Sequence, residues 1–178
     1  FNRLHALPTR NFQQGSFADA AQLAPEQLAA SRSRTRSSCA ACTIGCEHMY
    51  GIRPRADAGS RREESSVRVE YENLFALGPL CGIGEADEVL RASARCDQLG
   101  IDTISAGGTI AFAMECAERG FLDEPWLQFG SPAALHRCIE MIATRTPKWS
   151  DGTTPPAVAA APRIAAADGS APRETTRS

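Results

Sequence analysis

Apolar positions recur at helical spacing in three stretches of the chain's second half. Between Glu85 and Leu99, the residues Ala86, Val89, Leu90 and Leu99 fall near one helix face, and Gly100 stands where a helix stops in a left-handed residue. From Thr103 to Arg119, Ile104, Ile110, Phe112, Ala113 and Met114 make the centre of a second helix apolar nearly all round, which predicts burial, and Gly120 ends it. Gly107 and Gly108 inside that helix each cost roughly 1 kcal/mol against Ala. Close approach of another helix or of a ligand is therefore expected there. A third helix takes Ser131 as its cap and Pro132 as its first residue and runs to about Ala143, with Leu135, Ile139 and Ile142 as its stripe.

The first half is less periodic. Residues 1–17 are irregular, and Leu7-Pro8-Thr9-Arg10-Asn11-Phe12 reads as an extended arm, since Pro8 biases Leu7 away from helix. Residues 18–32 are rich in Ala, Gln and Leu and predict a helix that starts at Pro25. Residues 33–70 are polar and turn-rich, and the charge-dense stretch from Arg53 to Ser66 predicts an exposed loop or a short hairpin excursion. Residues 147–178 collect Pro, Ala, Thr and Ser, which predicts a disordered tail. The expectation is a mainly α fold: an irregular helical domain over 1–146, its helices packed without a continuous sheet, followed by the tail.

The chain has 178 residues, 43% of them apolar and 22% charged, which suits one domain of ordinary size. No run of 18 apolar residues occurs, so no membrane-spanning helix is expected. The visible N-terminus lacks a secretory pattern, and a cytoplasmic location is the expectation. A net charge of −2 gives no general pull toward nucleic acid or anionic lipid. Of the 19 basic residues only Lys148 is lysine, a mark of GC-rich coding rather than of function. The seven cysteines are odd in number and unevenly spread, which fits a reduced compartment and one metal cluster better than a disulfide framework.

Three of those cysteines, Cys39, Cys42 and Cys46, form a C-x2-C-x3-C motif. Three thiolates this close can cap three irons of a cubane, with a fourth ligand from elsewhere. Gly45 lets the backbone bend around such a cluster. Arg32, Arg34 and Arg36 just upstream would offset its charge and lower the thiol pKa values. The alternative is zinc on the same cysteines plus His48, stapling a non-catalytic helical interaction module. The arginines by themselves also read as a solvated basic loop or a weak nucleic-acid patch, and the acidic balance of the chain argues against the patch.

Two carboxylates flank the stop after the first strong helix. Asp97 lies in its last turn, where the helix dipole disfavours a negative charge by roughly 0.3–1 kcal/mol. Asp102 precedes the next helix and can serve as its cap. The plain reading is a surface charge and a cap; the functional one is that both accept hydrogen bonds from the N–H groups of a nitrogen heterocycle. In Glu70-Tyr71-Glu72, the apolar run that follows would partly bury Glu72 and raise its pKa, as a general acid or base requires. An ordinary glutamate at a helix start is the competing reading.

Together these segments resemble the aldehyde:ferredoxin oxidoreductase family, the tungsten-pterin enzymes. The resemblance runs over roughly residues 5–145. It is carried by the Leu7–Phe12 arm, Cys39/Cys42/Cys46, Glu70-Tyr71-Glu72-Asn73 with Leu77-Gly78, the stretch Cys96-Asp97-Gln98-Leu99-Gly100-Ile101-Asp102-Thr103-Ile104-Ser105, Gly107-Gly108-Thr109-Ile110 and Met114-Glu115. It implies the middle domains of that fold and a [4Fe–4S] cluster ligated by Cys39, Cys42 and Cys46. It also implies a bis-pterin holding tungsten or molybdenum, contacted by Asp97 and Asp102, with Glu72 near the metal to assist attack on an aldehyde carbonyl. The implied reaction is aldehyde plus water to carboxylate, with two electrons passed through the cluster to ferredoxin or a similar carrier. A homo-oligomer or electron-transfer subunits are further implied partners, and no nucleic acid or membrane is. Family members are several times longer, so the chain is expected to be a fragment that is inactive alone. Where some relatives carry a glutamate that ligates an iron between subunits, this chain has Arg91, and that iron is not expected here.

Overall fold

The computed structural model describes residues 1–38, 40–45, 47–53 and 66–144. Five α-helices follow in chain order: α1 (Pro25–Ser31), α2 (Tyr71–Leu77), α3 (Ala86–Leu99), α4 (Thr103–Glu118) and α5 (Pro132–Thr144). Short 3-10 turns occupy Asn2–Leu4, Ala18–Leu23 and Pro79–Cys81. The fold is mainly α, and the helix ends follow the local chemistry that predicts them. Pro25 opens α1. Gly100 closes α3 in a left-handed conformation at φ 66°, its N–H reaching back to the Cys96 and Asp97 carbonyls. Ser131 Oγ accepts the Ala134 N–H at 3.2 Å ahead of α5. No described helix is long and apolar enough to cross a membrane.

One element departs from the helices-only expectation. β1 (Arg34–Ser37), β2 (Glu47–Gly51) and β3 (Ser66–Val69) form an antiparallel sheet in the order β1-β2-β3. Its register pairs Arg34 with Tyr50 and Tyr50 with Val67. The sheet escapes a reading of apolar periodicity because β1, Arg-Thr-Arg-Ser, has no apolar residue, and β3 alternates exposed and buried over only four residues. Tyr50, Val67 and Val69 bury one face against Leu28 of α1 and Leu90 of α3. A larger core joins α2, α3, α4 and α5 through Leu77, Val89, Ile110, Met114, Leu135 and Ile139.

The arm over Leu7–Phe12 is turned at its tip rather than extended. Arg10, Asn11 and Phe12 all have positive φ (47°, 50° and 65°), and Thr9 bridges Gln14. Left-handed backbone costs a non-glycine residue about 1–2 kcal/mol. The turn persists because its neighbours hold it. The Arg10 and Asn11 N–H groups donate to the Pro79 and Leu80 carbonyls at 3.0 and 2.9 Å. Asn11 Nδ2 donates to Glu115 at 2.5 Å, and Arg10 pairs with Glu118.

Burial of α4 is one-sided. A Cβ on Gly107 would stand 2.4 Å from the Ala76 carbonyl oxygen, so glycine is what allows α2 to cross α4 this closely. Gly108 faces open space. Ile104 and Phe112 remain 47% and 59% exposed, because described residues cover only one side of this all-round apolar helix. Residues 54–65 of the charge-dense stretch, and the proposed tail at 147–178, lie outside the described residues.

Candidate functional site

In the sequence the cysteine motif falls between β1 and β2. Cys42 is half-buried there; Cys39 and Cys46 lie outside the described residues. Ala41 and Gly45, with φ of 62° and 58°, reverse the chain on either side of Cys42. Arg36 braces the turn: its Nε donates to the Gly45 carbonyl at 3.1 Å and its Nη2 to the Ile44 carbonyl at 2.9 Å. Arg32 points elsewhere and pairs with Asp87 at 2.5 Å, and among the described residues it is the Arg36 side chain that holds the hairpin turn. His48, on β2, lines a cleft of about 540 Å³ together with Glu70, Tyr71, Glu72 and Phe75. Among the described residues no three His, Cys, Asp or Glu side chains are grouped to hold a metal ion.

Glu72 stands in the first turn of α2, at that cleft, and is exposed. The burial expected from its apolar neighbours goes instead to Ala76 and Leu77, one turn on. A capping box starts this helix. The Glu70 side chain accepts the Asn73 N–H, and Asn73 Oδ1 accepts the Glu70 N–H at 2.9 Å. Asn73 then reaches across to α4, its Nδ2 donating to Thr103 Oγ1 at 3.0 Å. Tyr71 stacks between Phe1 and Phe75, with ring centroids 5.0 and 5.2 Å away. Partial burial raises its phenol pKa above the usual value, and the Glu72 charge pushes the same way.

Asp102 is the N-cap of α4, its Oδ2 accepting the Ser105 N–H at 2.7 Å. Hydrogen bonding to Ser105 holds its carboxyl below the ordinary range. Asp97 is exposed in the last turn of α3, and its carboxylate has no hydrogen-bond or ion-pair partner among the described residues. Burial pushes the Cys96 thiol up to about 11, and the charges of Asp97 and Asp102 both add to that rise. The two carboxylates thus act on one point of the α3–α4 turn. Because Thr103 follows Asp102 and binds Asn73, this turn is tied to the helix that carries Glu72. Asn73 and Thr103 are the connecting residues that the sequence reading left unassigned; the Glu70-x-x-Asn73 spacing was their signal. Arg91 binds Glu88 at 2.7 Å and the Arg53 carbonyl at 3.0 Å.

The family model described as aldehyde ferredoxin oxidoreductase, domains 2 and 3, matches residues 1–153. The chain is 38% identical over 144 residues to the tungsten-containing aldehyde ferredoxin oxidoreductase of Thermococcus kodakarensis, covering 78% of this chain and 22% of that one. The protein of the same description from Pyrococcus furiosus is 35% identical over 144 residues, with the same coverage of 78% and 22%. More distantly, an aliphatic sulfonate oxidoreductase, WOR-like subunit, of Pyrococcus furiosus is 27% identical over 108 residues, covering 58% of this chain and 17% of that one. The chain spans about a fifth of the length of the curated relatives it matches.

Proposed function

The chain belongs to the aldehyde ferredoxin oxidoreductase family, and on that premise we propose that it is part of an enzyme oxidising aldehydes to carboxylic acids, with Cys39, Cys42 and Cys46 as ligands of a [4Fe–4S] cluster. The observation that carries this reading is the Asn73–Thr103 hydrogen bond, which joins the Glu72 helix to the Asp102 cap.

The donor set fits the groups in question. A half-buried cysteine on a turn with two left-handed residues suits a wrapped cluster. Asp97, its carboxylate without a partner among the described residues, and Asp102, with one oxygen engaged by Ser105, offer carboxylate acceptors to the N–H groups of a pterin. When bound, a tungsten or molybdenum bis-pterin would supply the two-electron oxidation, and the cluster the outlet to ferredoxin. The chain's own residues do the rest. Asp97 and Asp102 orient the heterocycle through charged hydrogen bonds, which exceed neutral ones in strength. Glu72, at the cleft, accepts a proton from the water that adds to the aldehyde carbonyl. The net change is aldehyde plus water to carboxylate, releasing two electrons and the balancing protons.

Anaerobic reconstitution of the purified chain with iron and sulfide tests the proposal. A brown protein whose colour is lost in Cys42→Ser supports it. A colourless protein that takes up zinc instead, with His48 required, overturns it in favour of a zinc-stapled module.

A further inference from the structure

Where α2 ends, the fold buries a carbonyl that its own helix leaves unserved. Ala76 stands in the last turn of α2, and the last carbonyls of a helix have no intrahelical donor. Pro79, three residues on, has no N–H to give, and the N–H groups of Gly78 and Cys81 go to Leu74 and Gly78. Ala76 is fully buried, its oxygen set against Gly107 of α4. A buried acceptor left without a proton is costly. The donor comes from a side chain in the turn that follows. Cys81 Sγ lies 3.4 Å from the Ala76 oxygen and 3.7 Å from the Gly107 oxygen. Cys81 is itself fully buried. Burial drives its thiol pKa far above the ordinary range, and Cys138 nearby pushes the same way. The thiol therefore keeps its proton. Metal ligation and nucleophilic attack need the thiolate and are closed to it. Donation of the S–H to the two carbonyls is the use left.

We propose that Cys81 is a positioning residue for the candidate site: its S–H, shared between the Ala76 and Gly107 carbonyls, holds α2 against α4 and so fixes Glu72 relative to Asp102. This rests on the reading of Glu72 and Asp102 as parts of one site; the contact itself does not. Gly107 lets the two helices approach, and Cys81 supplies the proton that the approach would otherwise leave missing. The thiol ties the C-terminal end of α2 to α4, and the Asn73–Thr103 bond ties its first turn. One tie would leave α2 a pivot, and two at opposite ends stop it rocking. The described residues already enclose Cys81 completely, so the tie does not depend on any further chain.

The test uses the full chain with Cys81→Ser and Cys81→Ala. In a purely apolar socket a hydroxyl finds no acceptor, and Ser is the worse substitute; beside two carbonyls Ser keeps a donor and Ala does not. Denaturant unfolding should lower the folding equilibrium constant of Cys81→Ala by about tenfold or more, with Cys81→Ser between it and the wild type. The infrared S–H stretch that both variants lose should lie below that of a free thiol. Positioning is read on the other tie. The coupling between Asn73→Ala and Thr103→Val should fall by about half or more in the Cys81→Ala background and recover with Cys81→Ser. A cysteine that only fills space predicts no such recovery. Cys81→Ser less stable than Cys81→Ala, an S–H band at the free-thiol position, or a coupling untouched by Cys81→Ala each overturns the proposal. Folding of Cys81→Ser where Cys81→Ala fails supports it, and the reverse overturns it. Should neither fold, the band decides, read in a chain whose other cysteines are replaced by Ala. Iron uptake tests the redox reading separately, and a colourless chain would remove that reading while leaving these results as they stand.

Discussion

At the scale of single residues, Asn73 holds the candidate site together. It completes the α2 capping box and also donates to Thr103. Asn73→Ala should destabilise the chain by about 1–2 kcal/mol. Thr103→Val should cost less, and a double-mutant cycle read by denaturant unfolding should show coupling between the two. Asp102 gives a pH signature. Its carboxyl sits below the ordinary range in the folded chain, chiefly through hydrogen bonding to Ser105. Folding is therefore favoured above the unfolded carboxyl pKa, and that contribution is lost as pH falls through the lower folded value. Melting curves of wild type and Asp102→Asn should differ at neutral pH and converge as the pH falls below the ordinary carboxylate range. The Asp102 cap was legible because Asp before a helix has one dominant use. Exposure of Glu72 was not, because local apolar neighbours do not reveal which turn of a helix the rest of the fold covers.

At the scale of elements, α4 offers a matched pair of substitutions. Gly107→Ala would put a methyl group 2.4 Å from the Ala76 carbonyl oxygen, and Gly108→Ala would put one in open space. The first should destabilise by about 1–3 kcal/mol through overpacking. The second should stabilise by about 0.5–1 kcal/mol through helix propensity. Thermal unfolding of both proteins reads the difference, and equal effects would contradict the α2–α4 crossing. The two glycines look alike in the sequence, and only the position of α2 separates them. Helices α3 and α5 were legible because their apolar stripes and end signals agree, and α4 because its long apolar run lies between the Asp102 cap and Gly120. The sheet was not, because the polar edge strand β1 is held by backbone pairing to β2 rather than by apolar alternation.

At the scale of the whole molecule, the chain shows surface that its own described residues do not cover. Ile104, Phe112 and Phe121 are exposed apolar side chains, two of them on α4. Replacing Ile104 and Phe112 by Ser should shift stability by no more than about 0.5 kcal/mol each and should reduce binding of a hydrophobic dye. The matched relatives carry about four fifths of their length outside the shared region. We expect no turnover of an aldehyde with a viologen dye by this chain alone, even after supply of tungsten, because a site needs its support on every side. Turnover in that assay would place the whole reaction within these residues.

The contact at Gly107 reaches beyond stability. Where two helices meet through side chains, the spacing drifts as those side chains are exchanged over generations. Here a backbone carbonyl rests against a residue with no side chain, so the gauge between α2 and α4 is set by the main chain itself. The cores around them can be rebuilt while the helix bearing Glu72 and the turn bearing Asp102 keep their distance. Chemistry that depends on that distance is insulated from most of the sequence that surrounds it.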